Sequence, residues 1–415
     1  VGVVASLAVW VLGGPAYGLG VALRIGVLYL GAFHHVPIRI EGRFDIGELT
    51  GGVLPGSDLP TESSSFVEIG VALLSVTVLA GWLLFRAGRG LARSRGGSMR
   101  EHVLRGAAVA PSYALPVFVA ALLITIDEPF ALGRLVEGEL RVSLARLEAL
   151  VFPLVLAAAA GGAGGLWEWL EAHRDRERAG TAGAALVGGW RMLWLGFALS
   201  YAGLFVAGVV QPDEPVATLT PSTARYFDAV FERPALGAAI LTHHVALAPN
   251  EAALTLVPAA GGCDTSRGSV RADLLCYRRF PRDVGAALRS PEADEGSGFG
   301  VAPAGSFLFL LAPALAAVLG GRAAALRRQA SGRSGATVGA WGGVVFALLL
   351  GAMGLLAGVS LEYGATVGEQ AGGGSLWIGP DVVSAVLFGA AWGVLGGALG
   401  GATASIGSAG GTSGR

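Results

Sequence analysis

The residues of this sequence that could bind a metal are its histidines. Four of the six form two adjacent pairs, His34-His35 and His243-His244. Imidazoles that converge on one point bind Zn²⁺ or Cu²⁺. Adjacent helical residues point about 100° apart, so both rings of a pair rarely reach the same ion. The histidines are therefore weak metal candidates, and the sequence favours separate hydrogen-bonded or interfacial rings without a metal or cofactor.

Two charged residues lie in or beside apolar segments, where ionisable groups often mark functional sites in membrane proteins. Arg24 lies in a long apolar segment, near its middle or, if the helix begins earlier, near its outer end. Glu68 stands at the start of the next apolar segment. A pair of opposite charges lowers the cost of burying either one. We therefore expect a binding role for both residues, with two alternatives open for Glu68: it is interfacial, or it pairs with Arg24.

The longest polar region, residues 211–300, contains an apolar segment at 234–260 that is broken at Pro249-Asn250-Glu251. Each half is too short to span a bilayer, and Asn250 is suited to cap the second half. Two alternatives remain open. The segment is either a re-entrant hairpin, with His243, His244, Asn250 and Glu251 as binding residues, or part of a small extracytoplasmic helical subdomain.

The two cysteines of the chain, Cys263 and Cys276, both lie in this polar region. In an oxidising compartment they are expected to form a disulfide. Closing a loop of this size would contribute about 3 kcal/mol on the chain-entropy model. The sequence thus predicts a disulfide-closed insert on the outer side.

Composition indicates the elements that must position these residues. Hydrophobic residues make up 53% of the chain and charged residues only 14%, whereas soluble domains carry about 25% charged residues. Apolar stretches of the length of a membrane span recur, so we predict an all-α polytopic bundle of about eight spans. The expected spans are Gly2–Phe33, Phe66–Phe85, Gly106–Ile126, Ala149–Leu170, Ala185–Val210, Val301–Gly320, Val338–Val359 and Val382–Ile406.

Arginine placement orients these spans. Residues 86–105 hold six Arg and one acid, whereas residues 34–65, 127–148 and 361–381 together hold 13 acids and five Arg. Because short cytoplasmic loops carry the basic excess, both ends of an eight-span chain lie in the cytoplasm. We therefore expect a plasma (inner) membrane protein with helices at 1–210 and 301–406, the insert at 211–300 and a disordered tail at 407–415.

Two further patterns concern packing. Apolar residues recur at helical spacing from Leu135 to Val151, which predicts an interfacial amphipathic helix. Gly393, Gly397 and Gly401 are spaced four apart, which lets helices approach closely, either within the chain or between copies.

All 29 basic residues are Arg, which is typical of a GC-rich bacterial genome.

The net charge of −1 gives no basic field for nucleic acid, and no hydrolase, nucleotide or phosphate-loop motif is present. These absences favour a protein that is not an enzyme, and a membrane metalloenzyme that uses the histidine pairs ranks last among the hypotheses. The first hypothesis is a transporter- or channel-like protein that binds a small solute. The alternative is a structural, assembly or sensory protein that binds an envelope partner through residues 211–300.

Overall fold

The computed structural model describes most of the chain from Arg24 to Ala404. The described residues are 24, 26, 28, 31, 34–45, 62–71, 74–93, 96–132, 136–175, 177–210, 249–267, 271–275, 280–281, 299–300, 304–367 and 370–404. The predicted disordered tail at 407–415, the first half of the segment at 234–260, and His243, His244 and Cys276 therefore lie outside the described residues.

The fold is mostly helical. The described helices are α1 Leu74–Arg93, α2 Met99–Ala107, α3 Ala110–Leu123, α4 Arg146–Ala172, α5 Glu177–Val210, α6 at residues 249–259, α7 Leu311–Arg328, α8 Gly332–Ala357 and α9 Val382–Thr403. A 3₁₀ turn, Ala304–Leu310, precedes α7. α2 and α3 form one interrupted rod, with Pro111 at the start of α3 and Pro116 inside it. Proline fits the first turn of a helix but costs a hydrogen bond in its interior.

Among the described residues, six helices are long and apolar enough to cross a membrane, with α2 and α3 counted as one. They are Met99–Leu123, Arg146–Ala172, Gly180–Gly203, Phe307–Arg328, Gly332–Ala357 and Val382–Thr403. Many large apolar side chains on them are exposed, including Leu395 and Leu399, as expected for helices that face lipid. The chain is thus a multi-pass membrane protein. A count of eight needs α1 and the first apolar segment as well.

The prediction of an all-α fold was wrong, because the segments that join the helices on one side are strands. They are β1 Ile38–Asp45, β2 Glu62–Val71, β3 Ile126–Leu132, β4 Val136–Leu144, β5 Asp264–Arg267, β6 Arg271–Leu275, β7 Phe280–Pro281, β8 Phe299–Gly300, β9 Val359–Val367 and β10 Gln370–Pro380. Eight of them form one antiparallel sheet in the order β3-β4-β1-β2-β9-β10-β5-β6, and β7 pairs with β8.

Two helix predictions failed for the same reason. The second span was expected at Phe66–Phe85, but residues 66–71 belong to β2 and α1 begins at Leu74. The amphipathic helix expected between Leu135 and Val151 is strand β4 followed directly by the start of α4. In the first place apolar length, and in the second helical spacing, indicated a helix, but the backbone pairs with neighbouring strands, which satisfies its N–H and C=O groups.

Helices pack through glycine. A methyl group added at Gly88 on α1 would collide with the backbone of Gly161 on α4, and one at Gly321 on α7 would collide with Gly397 on α9. Gly397 also meets Gly339 on α8. The regularly spaced glycines of α9 are thus used for contacts within the chain. Such close backbone approach supplies dispersion contacts where lipid removes the hydrophobic driving force.

The described chain contains the same structure twice. In the first repeat α1, the α2–α3 rod and α4 pack together, and in the second repeat α7, α8 and α9 pack in the same way. The sheet order is repeated too, because β3-β4-β1-β2 corresponds to β9-β10-β5-β6. Corresponding backbone contacts join Gly88 to Gly161 and Gly321 to Gly397, Gly164 to Phe85 and Gly400 to Val318, and Gly165 to His102 and Gly401 to Gly335.

Finer details match as well. Ser98 precedes α2 and Ser331 precedes α8 as the N-cap residue. The turn before β1 has a left-handed residue at His35 (φ 63°), and the turn before β5 has one at Gly261 (φ 103°). The amide of Ala145 donates to Pro37 (3.0 Å), just as that of Asp381 donates to Cys263 (2.8 Å). Helix α6 therefore corresponds to the end of the first apolar segment, where Arg24, Leu28 and Gly31 are helical.

The two repeats meet in three places among the described residues. Strands β2 and β9 pair from Ser63–Val367 to Val71–Val359. The start of α1 contacts α6 and α8, because Leu74 is hydrogen-bonded to Asn250 and lies in a core with Phe346 and Leu350. At the opposite end of the helices, Arg327 on α7 donates to Glu171 on α4 at 2.9 Å. The sheet caps one side of the bundle, and arginines such as Arg89 and Arg327 lie on the other.

Candidate functional site

Polar side chains are buried in the second repeat where its helices meet the sheet. They are Asn250, Glu251, Asp264, Thr265, Ser266 and Asp381, and each is at most 6% exposed. We call this set the buried polar cluster. It combines three carboxyl groups with a single amide and two hydroxyls. Buried charge is costly, so such groups persist in a protein interior where they are paired or functional.

Helix α6 brings the first two of these residues into the bundle. Its apolar residues Ala253, Leu256 and Val257 are fully buried. They belong to a core that includes Leu193 and Phe197 of α5 and Phe346 and Leu350 of α8. The carbonyl of Ala260, just after the helix, accepts from Trp392 of α9 at 3.0 Å. The second half of the segment at 234–260 is therefore packed against α5, α8 and α9, which both alternatives for this segment allow.

Asn250 caps the start of a helix in the other repeat. Its Oδ1 accepts a hydrogen bond from the backbone N–H of Leu74 at 3.0 Å, in a buried position. Leu74 is the first residue of α1, and the first N–H groups of a helix lack partners within it. Asn250 thus satisfies the start of a helix in the other repeat and ties the two repeats together.

Asp381 organises the other side of the cluster. As the N-cap of α9 it accepts from the N–H of Ser384 at 3.0 Å. Its second oxygen accepts from Arg267 at 3.3 Å, and this guanidinium also lies 4.8 Å from the centre of the Trp377 ring. Arg267 is about half exposed at the side chain. The partly exposed side chain of Arg267 therefore connects the surface of the sheet with the buried carboxyl group of Asp381.

The corresponding positions of the first repeat carry different chemistry. Asp264 and Asp381 correspond to the apolar residues Ile38 and Ala145, as the matched strand pairings Asp264–Pro380 and Ile38–Leu144 indicate. The buried acidic groups are thus a property of the second repeat. No signal in the sequence distinguished Asp264, Thr265, Ser266 or Asp381 from loop residues. Only the fold buries them in the same repeat as Asn250 and Glu251.

The first repeat has a polar site of its own at the turn before β1. Buried His34 is hydrogen-bonded through Nε2 to the Tyr113 hydroxyl on α3. Burial, followed by the neighbouring His34, lowers the pKa of His35 from 6.5 to about 4. The His35 imidazole is therefore neutral near pH 7. The second repeat has Ala260 and Gly261 at this turn, so the two repeats have diverged here as well.

The predicted pairing of Arg24 with Glu68 is not observed. Glu68 lies on β2, 4.0 Å from Arg39 on β1, and directly opposite Glu362 on β9. Arg24 is exposed and lies near enough to Asp127 at the start of β3 to lower the pKa of that carboxyl group, after the larger effect of Arg141. Both residues therefore lie at the sheet-side boundary of the helices and not at their middle.

Other predicted groups remain untested. No group of three or more metal-binding side chains occurs among the described residues, and the pair His243-His244 lies outside them. No disulfide is seen in the part of the chain that the structure describes, and Cys276 lies beyond it, so the Cys263–Cys276 bridge stays a prediction. Comparison with protein-family models, with curated proteins and with solved structures gives no significant match to this chain.

Proposed function

We propose that this chain is a membrane transport protein whose solute-binding site is centred on α6 and the buried polar cluster. One observation carries the proposal. A short helix with Asn250 and the 2%-exposed Glu251 is packed into the core of a bundle of spanning helices. Ionisable groups in such a position are rare, and they mark pathways for solutes or ions.

The repeated structure supports the same proposal. Many transporters consist of two structural repeats, bind solute between them, and use helices that are interrupted within the membrane. This chain has two repeats, and Asn250 of one repeat binds the backbone of Leu74 in the other. A change in the relative position of the repeats would therefore act directly on the helix that carries Glu251.

The proposed topology follows from charge. The side that holds Arg89, Arg93 and Arg327 is cytoplasmic, and the eight-stranded sheet lies outside. The first apolar segment and α1 complete eight spans, with both ends of the chain inside. Helix α1 has 20 residues, which corresponds to about 30 Å of helix, and its arginines lie in its cytoplasmic half. The plasma (inner) membrane is the proposed location.

The test is thiol labelling of Ala253→Cys in a Cys263→Ser, Cys276→Ser background, because it requires no known solute. Ala253 is fully buried and next to the polar residues of α6. A membrane-impermeant maleimide is applied to right-side-out and inside-out vesicles. A transport pathway predicts slow but measurable labelling from both sides, because the site opens to each side in turn. Exposed Glu139→Cys and Arg174→Cys should each label rapidly from one side only, outside and inside respectively.

Protection of Ala253→Cys on both sides, with both control positions labelling normally, would contradict transport. It would favour the second candidate, a partner-binding membrane protein. One specific observation supports that candidate. The sheet extends over both repeats, and side chains such as Tyr363 are half exposed on it. An envelope protein would bind this outer surface, including the folded parts of 211–300, and α6 would have only a structural role.

A further inference from the structure

The only strand pairing between the two repeats among the described residues places two acidic side chains opposite each other. Glu68 of β2 and Glu362 of β9 are partners in the antiparallel register, and they lie within the β2–β9 ladder and not at either end of it. Cross-strand partners have Cβ atoms about 5 Å apart, and like charges at this distance are destabilising. The repeats therefore join through a pair that repels when both groups are ionised.

The other charged groups around Glu68 lie on two further elements, β1 and α4. Arg39 is its partner on β1, with Nη1 at 4.0 Å, but Arg39 also binds Glu41 at 2.8 Å. Glu148, in the first turn of α4, acts on Glu68 as a further negative charge. One arginine is thus shared among Glu41, Glu68 and the negative charges of Glu148 and Glu362. Its attraction cannot compensate for all of them.

The protonation of Glu68 responds to this environment. Burial raises its pKa above the usual value, Glu362 and Glu148 raise it further, and Arg39 opposes them. A carboxyl group whose pKa is raised by folding binds its proton more tightly in the folded state. Its contribution is therefore stabilising at low pH and is lost as pH rises from the ordinary glutamate range through the raised pKa.

We infer that the β2–β9 junction is a pH-sensitive contact between the repeats, tight when Glu68 is protonated and loosened when Glu68 is ionised opposite Glu362. The junction lies on the sheet side, next to the end of α1 that Asn250 holds. Loosening the ladder leaves the two repeats joined on this side by the contacts of α1 with α6 and α8. The inference needs only the register and the charges, and it stands whether the protein transports a solute or binds a partner.

Hydrogen exchange of the full chain in nanodiscs tests this inference. Protection factors, corrected for the intrinsic pH dependence of exchange, are compared at pH 5 and pH 8 for β2 and β9. We expect protection to fall about two- to fivefold at the higher pH, the range that a cross-strand like-charge pair allows. The β3–β4 hairpin, where Asp127 and Arg141 attract each other at 2.7 Å, provides an internal reference that should not change in this way.

Three variants complete the test. Glu68→Gln and Glu362→Gln should each keep β2 and β9 protected at both pH values, whereas Glu139→Gln on β4 should behave like the parent. The buried imidazole of His35 cannot mimic the effect, because its lowered pKa makes the folded state less stable at low pH, which is the opposite sign. An unchanged junction in the parent, or a pH dependence that survives Glu68→Gln, would overturn the inference.

Discussion

At the scale of single residues, the contact between Asn250 and Leu74 gives a direct prediction. Asn250→Ala removes the acceptor for the buried N–H that begins α1. An unsatisfied buried N–H costs about 1–3 kcal/mol. We expect the apparent Tm in detergent to fall by several degrees. Exposed Ser112 donates to the carbonyl of Val109 on the surface, so Ser112→Ala should leave the Tm unchanged. Equal Tm values for Asn250→Ala and the parent would show that the cap contributes nothing.

Single residues also show which parts of the candidate site could be predicted from the sequence. Asn250 and Glu251 were identified because a Pro-Asn-Glu break within apolar sequence is unusual, and both are buried in the bundle. Asp264 and Asp381 were missed, because each is one acid in a polar stretch. They become buried only after β5 pairs with β10, and this pairing joins residues more than a hundred positions apart. Local spacing holds no information about such a contact.

At the scale of elements, α1 contains a matched pair of glycines. Gly88 faces the backbone of Gly161, so Gly88→Ala must push α1 and α4 apart, and overpacking of this kind costs about 1–3 kcal/mol. Gly81 has open space around its Cα, so Gly81→Ala should stabilise the helix by about 0.5–1 kcal/mol. Thermal unfolding of the two variants should thus shift in opposite directions. A stabilising Gly88→Ala would contradict the packing of α1 on α4.

The elements that the sequence predicted well are those whose whole length is apolar. α4, α8 and α9 begin and end within a few residues of their predicted bounds, apart from the start of α8, because lipid requires a continuous apolar rod. The strands were not predicted, although β1 and β4 alternate apolar or glycine positions with polar ones, a period of two that a search for continuous apolar spans passes over. β2 has no such alternation. Their pairing satisfies backbone groups outside the membrane, and pairing partners cannot be read from one strand alone.

At the scale of the whole molecule, the packing inside each repeat is more extensive than the packing between the two repeats. Each repeat buries glycine-lined helix contacts, whereas the contacts described between repeats are the β2–β9 ladder, the start of α1 packed into the core of α6 and α8, and the partly exposed pair Arg327–Glu171. Exposed ion pairs contribute little, about 0–1 kcal/mol. Separation of the repeats on the sheet side should therefore be the easiest large opening of the fold.

An engineered disulfide across the β2–β9 junction tests whether the two repeats separate before either repeat unfolds. Val67 and Tyr363 are direct partners on β2 and β9, so Val67→Cys with Tyr363→Cys should form a bridge in a background without the native cysteines. We expect oxidation to raise the apparent Tm by several degrees and to abolish the pH dependence of exchange in β2 and β9. A bridge that joins distant parts of the chain contributes about 2–4 kcal/mol when its geometry is unstrained.

The matched control is a bridge between Ile40→Cys on β1 and Val142→Cys on β4, which are partners within the first repeat. It also joins distant residues, so its effect on the entropy of the unfolded chain is similar. If unfolding begins with separation of the repeats, this bridge should raise the apparent Tm less than the junction bridge, because it leaves the first opening step unrestrained. Equal increases would instead mean that the two repeats unfold as one unit, with β2 and β9 as firmly held as the strands inside each repeat.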